Sequence, residues 1–183
     1  MRDLLPPYAR IALVIGYHAG ARKAEIREIR RDKIDLARRR IQLPGRTTKN
    51  GKARYLPIYG DMAAELDMAL SAAEATCSFL VQRDGKPVYD FDKAWATACR
   101  AASIPEALFH DLRRTALTNM TEAGLSEKEA MEITGHKTRV RPLPHRKRAP
   151  DVAERGEARR TPEGQGKSDN GARQRCKSES EAE

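Results

Sequence analysis

Phe109-His110-Asp111-Leu112-Arg113-Arg114-Thr115 opens a helical periodicity that runs on to Ala123 and stops at Gly124. Ser126, with Glu129 three residues later, is a capping box that starts a second helix, and Gly135 ends it just before His136. His110 and Arg113 are three apart and share one helical face. The segment therefore predicts two helices joined by a glycine turn. An imidazole and a guanidinium stand at the start of the first helix, and a second imidazole follows the end of the other.

Toward the N-terminus, Pro6-Pro7 precedes an apolar helical run from Tyr8 to Tyr17, broken by Gly20. Residues Arg22 to Arg30 resume helical spacing, with Ile26 and Ile29 on one face. Arg40 to Leu43 and Arg54 to Ile58 alternate like strands, and Thr47-Thr48-Lys49-Asn50-Gly51-Lys52 between them carries the Asn-Gly signal of a hairpin. Asp61 is expected to cap a helix bearing Leu66 and Leu70. Phe79 to Val81 reads as a short strand before an Asp84-Gly85 turn, and a helix follows over Asp90 to Ala102. The fold class is α+β, mostly helical with a small antiparallel β-sheet.

The chain has 183 residues and a formal charge of +9. Residues 1–138 alone hold 23 Lys+Arg against 18 Asp+Glu, so the positive balance does not depend on the tail. A polyanion is the partner class that such a charge favours. Cys77, Cys99 and Cys176 show no CxxC or Cys/His spacing, which argues against a disulfide framework or a zinc site. No apolar run is long enough to span a bilayer, so no membrane partner and a cytoplasmic location are expected. From Arg139 to Glu183 there is no Ile, Phe, Tyr, Trp or Met. Such a segment buries too little apolar area to offset chain entropy, so residues 139–183 are expected to be a disordered tail behind a domain of residues 1–138.

Four groups could carry chemistry: Arg22 in Gly20-Ala21-Arg22-Lys23-Ala24-Glu25-Ile26, Lys49 at the hairpin tip, His110 with Arg113, and His136. Each has an ordinary explanation when taken singly. Arg22 pairs with Glu25, Lys49 is a turn lysine, His110 is an ordinary N-terminal residue of its helix, Arg113 is a solvated side chain, and His136 caps a helix.

Their order is more specific. Gly-x-Arg-x-x-Glu, then a Thr-Lys-x-Gly-Lys hairpin, then His-Asp-Leu-Arg-Arg-Thr, then Gly-His resembles the catalytic domain of the tyrosine recombinase (phage integrase) family over about Leu4 to Arg139. The resemblance implies duplex DNA as partner, further recombinase protomers beside it, and DNA integration and recombination by phosphodiester transesterification. It implies a phosphate clamp made by Arg22 and Arg113. His110 and His136 would donate hydrogen bonds or shuttle protons near neutrality, and Lys49 would protonate the departing 5′ oxygen. Arginines suit charge building on non-bridging oxygens because they stay charged and donate paired hydrogen bonds. No metal or small-molecule cofactor is implied.

The family's reaction also needs a tyrosine nucleophile about nine residues past the Gly-His histidine. Position 145 is His145, and no tyrosine follows Tyr89. Pro142 and Pro144 bar the helix that would aim His145 at phosphorus. The expectation is therefore a family member without a nucleophile and without covalent catalysis, or a non-catalytic module that sits on DNA or on an intact recombinase. Relatives also carry a helical DNA-binding domain ahead of the catalytic one. This chain starts at Met1 almost on the first catalytic helix, so weak, salt-dependent and poorly base-specific binding is expected. Loss of the tyrosine helix would uncover apolar surface around Ser126 to Thr134, giving low stability or aggregation.

A frameshift would account for the tail, and codon degeneracy permits it. Residues Val140 to Arg146 can be encoded GTT CGA CCG CTA CCA CAT CGT. Dropping the first base yields Phe-Asp-Arg-Tyr-His-Ile, which resembles the family's tyrosine motif. The coding DNA is expected to read a tyrosine codon across Leu143 in the shifted frame. Sequencing that finds third-position bases incompatible with tyrosine there rules the frameshift out.

Overall fold

The computed structural model describes residues 1–45, 53–74 and 76–136. The hairpin tip with Lys49 and the segment from 137 onward lie outside the described residues. Six α-helices run in the order α1 (Pro7–Ala19), α2 (Lys23–Arg27), α3 (Met62–Ser71), α4 (Asp92–Ala101), α5 (Asp111–Glu122) and α6 (Glu127–Thr134). Strands β1 (Ile34–Asp35), β2 (Arg40–Leu43) and β3 (Arg54–Pro57) form an antiparallel sheet with β2 in the middle, and β4 (Gln82–Arg83) pairs with β5 (Lys86–Pro87). Helices with a small antiparallel sheet are what the sequence predicted.

Helix α1 is apolar nearly all round, and that composition makes it the centre of the core. Nine of its residues are buried, Ile11, Leu13, Val14 and Ile15 among them. It packs on α3 through Met62 and Leu66 and on α5 through Leu112. The β2–β3 register sets Ile41 opposite Leu56, and Ile41, Leu43, Leu56 and Ile58 all point inward. Phe91 and Trp95 meet Phe109 edge-on and close the core beside α4. A smaller cluster of Ala116, Leu117, Met120 and Ala130 glues α5 to α6. An open groove of about 680 Å³ runs past it, lined by Tyr17, Tyr59, Met120, Ala123, Leu125 and Ile133.

The structure departs from the sequence reading at four places. Helix α2 ends at Arg27 rather than Arg30, because the Ile29 carbonyl accepts from the Leu80 amide and Arg30 bridges Phe79. That same bridge takes up Phe79, so the strand expected over Phe79 to Val81 lies at Gln82–Arg83 instead. Its Asp84-Gly85 turn has both φ values positive, as a two-residue hairpin requires. Asp61 precedes α3 without capping it through its side chain. Its carboxylate accepts from Arg2 Nη1 at 2.7 Å and meets His18 Nε2 at 2.5 Å. Strand β1, too short to show a period, adds a third strand to the predicted hairpin.

Replacing Leu112 by alanine removes a buried α5 side chain that packs against Gly16 of α1. A loss of about 2–5 kcal/mol is expected, read as a lower midpoint in denaturant titration with the slope unchanged.

Candidate functional site

Three ordinary helix-ending rules place the site. Gly20 terminates α1 at φ 63°, and a Cβ there would meet Thr134 Cγ2 at 2.7 Å, so the end of α1 lies directly against the end of α6. Gly135 terminates α6 at φ 75°, with the Gly135 and His136 amides both donating to the Met131 carbonyl. Ser126 and Glu129 form the expected capping box at the other end of α6. These turns bring residues from opposite halves of the chain onto one spot.

Arg113, on the first turn of α5, is 2% exposed. Its Nη1 donates to the Gly20 carbonyl at 2.7 Å and to the Thr134 carbonyl, and its Nε donates to His136 Nε2 at 3.1 Å. Its Nη2 is buried and has no partner among the described residues. Arg22 donates from Nη1 to Glu25 Oε1 at 2.8 Å and from Nη2 to the Gly135 carbonyl at 3.2 Å. The structure thus brings Arg22, Arg113 and His136 together. His110 sits at the N-cap position of α5, close enough that the charges of Arg113, Arg114 and Arg22 act on it. The pairing of Arg22 with Glu25, its ordinary explanation, also holds. Lys49 lies outside the described residues.

The sequence reading missed Arg54. Its Nη2 donates to Glu25 Oε2 at 2.6 Å and its Nη1 to the Ile133 carbonyl at 3.0 Å. The signal was present: Arg54 and Leu56 on β3 and Ile58 just after it alternate, and the latter two point into the core. An arginine in that phase is an inward-facing charge, and inward charges need partners. Glu25, 1% exposed, is that partner, and it also accepts from the Arg22 backbone amide at 2.8 Å.

The electrostatics follow from crowding. Burial, then Arg22 and Arg54, push Arg113 down to about 9, so it remains a cation at neutral pH. Arg54 is lowered chiefly by burial, with Glu25 opposing. His110 is held below its ordinary value first by burial and then by Arg113. His136 falls to about 4, through burial and then the charges of Arg113 and Arg22. Because His136 Nε2 accepts from Arg113, its proton resides on Nδ1, 2.7 Å from Thr134 Oγ1, which in turn donates to the Ala130 carbonyl at 2.8 Å. Both ring nitrogens of His136 are thus committed, Nε2 to Arg113 and Nδ1 to Thr134, and burial with the neighbouring arginine charges holds its proton affinity below the ordinary value.

The family model described as "Phage integrase family" matches residues 3–140. This chain belongs to the phage integrase family. Among solved structures it is similar to XerA recombinase, with a TM-score of 0.60 and 18% identity over 72% of this chain and 50% of that one. It is similar to the Tn1549 transposon integrase in complex with circular intermediate DNA, at 0.59 and 17% over 72% and 50%. A lambda integrase dimer bound to a COC′ core site gives 0.56 and 18% over 73% and 51%. Likeness at this identity establishes the integrase fold, and the chain spans about half the length of these relatives. No curated protein matches it. Among the described residues, no helix is long and apolar enough to cross a membrane.

The depressed His136 sets a sign for pH dependence. The unfolded ring takes up a proton near 6.5 and the folded one only near 4. Between these values the unfolded state binds more protons, so this histidine's share of stability is lost as pH falls from 6.5 toward 4. Ring-proton NMR is expected to show His136 neutral at pH 5.5, and a midpoint near 6.5 would contradict it.

Proposed function

We propose that this integrase-family chain grips a phosphodiester of duplex DNA between Arg22 and Arg113, in service of DNA integration and site-specific recombination, and performs no covalent step of its own. The observation that carries the reading is the buried Arg113 Nη2, a charged donor with no acceptor among the described residues. A buried charged donor without an acceptor is expensive, and an anion arriving there satisfies it. A phosphate oxygen suits it because the Arg113 fork is already locked on its other edge by the Gly20 and Thr134 carbonyls and His136. The locked arginine gives up little side-chain freedom on binding.

Under this reading Arg22 donates to a second non-bridging oxygen, and His110 adds a donor from the start of α5. His136 acts on the phosphate through Arg113, whose plane it orients. Lys49 on the β2–β3 hairpin serves as the acid toward the leaving 5′ oxygen. Residues 137–183 contain no tyrosine, so they cannot supply the attacking phenol. The duplex and other recombinase protomers are the partners we carry over from relatives seen as a dimer on a core site and as a tetramer on a Holliday junction. Residues 1–138 act as the DNA-gripping domain, with 139–183 as the shifted-frame tail.

Gel shifts on duplex DNA are expected to show micromolar-or-weaker binding that falls steeply with salt. Arg22→Ala and Arg113→Ala should each abolish it, and a suicide substrate should trap no covalent adduct. Full affinity in both variants would defeat the phosphate assignment, while an adduct would defeat the non-covalent one.

A further inference from the structure

Three consecutive carbonyls at the end of α6 are each taken by a different arginine: Ile133 by Arg54, Thr134 by Arg113 and Gly135 by Arg22. Only two of these arginines belong to the phosphate clamp. The third enters from β3, the strand that leaves the hairpin carrying Lys49, and its other Nη group holds Glu25. Glu25 in turn holds both the backbone and the guanidinium of Arg22. Arg54 is therefore the fork that ties the Arg22 side of the site to the α6 turn on which Arg113 rests. Close approach confirms how tightly it is seated. A Cβ on Gly135 would lie 2.1 Å from Arg54 Nη1, so a side chain there would displace the guanidinium besides adopting the left-handed φ of 75°.

Resting on the DNA-phosphate reading above, we infer that Arg54 is a positioning residue that sets the spacing of the Arg22 and Arg113 guanidiniums through Glu25 and the Ile133 carbonyl, without itself touching DNA. Its side chain is 14% exposed against 30% for Arg22, both its Nη groups hold protein acceptors, and its Nε is buried, so it offers DNA less open surface than Arg22 does. A lysine cannot replace it, since one ammonium on a flexible stem does not reproduce a rigid fork with two divergent donors.

The test uses the full chain, a short labelled DNA duplex of arbitrary sequence, and the variants Arg54→Lys and Arg54→Gln beside Arg22→Gln. Arg54→Lys is expected to melt cooperatively yet bind about tenfold more weakly. The slope of log affinity against log salt should stay unchanged in both Arg54 variants. Arg22→Gln, a direct contact, should shallow that slope by about one. A slope reduced by about one in the Arg54 variants would make Arg54 a phosphate ligand and overturn the positioning role. Arg54→Lys affinity within about twofold of the parent, or loss of a cooperative melt in both Arg54 variants, would overturn it too. If the parent chain does not bind DNA, the phosphate reading fails instead. The Arg54 inference is then decided by NMR of the His136 ring, whose signals should move toward those of a free histidine in Arg54→Lys as the α6 turn loosens, and an unmoved ring refutes it.

Discussion

Three guanidinium groups converge on the carbonyl end of α6, and most of what distinguishes this molecule follows from that contact. The last carbonyls of a helix have no intrahelical donors and carry the negative end of its dipole. They are weak enough acceptors to leave an arginine its charge, and rigid enough to fix its direction. Arg22, Arg54 and Arg113 reach them from three separate parts of the chain, so the α6 turn is the point about which the site is assembled.

Assembling like charges has a cost: burial first, then Arg22 and Arg54, lower Arg113, and burial followed by the arginine charges lowers His136. One buried carboxylate, Glu25, compensates two of the cations. The cluster remains net positive, and the buried Arg113 Nη2 has no partner among the described residues. Positive charge gathered at such low exposure favours an anionic neighbour.

Several features were legible because they are local. The capping box at Ser126, the stops at Gly20 and Gly135, the apolar periodicity of α1 and the alternation of β2 and β3 each depend on a few adjacent residues. The motif order also sufficed for the family. Misreadings arose where a distant partner overrode the local signal. Ile29 keeps helical spacing yet gives its carbonyl to Leu80, and Asp61 has a cap's position yet pairs with Arg2 and His18. For the site, Arg22, His110, Arg113 and His136 could be named from the motifs, whereas Arg54 stood in an inward strand phase with nothing nearby to explain it.

By itself, then, the amino-acid order determined which residue types were available, where helices start and stop, and that no tyrosine follows Tyr89. Tertiary structure alone decided what those residues are. It set His136 as an acceptor for Arg113 with lowered proton affinity, left Arg113 Nη2 without a partner among the described residues, and recruited Arg54. The reason is that hydrogen-bond roles and proton affinities depend on burial and on charges a few ångströms away. Those neighbours come from sequence positions up to 113 residues apart, and only the packing of α1, α5, α6 and β3 selects them.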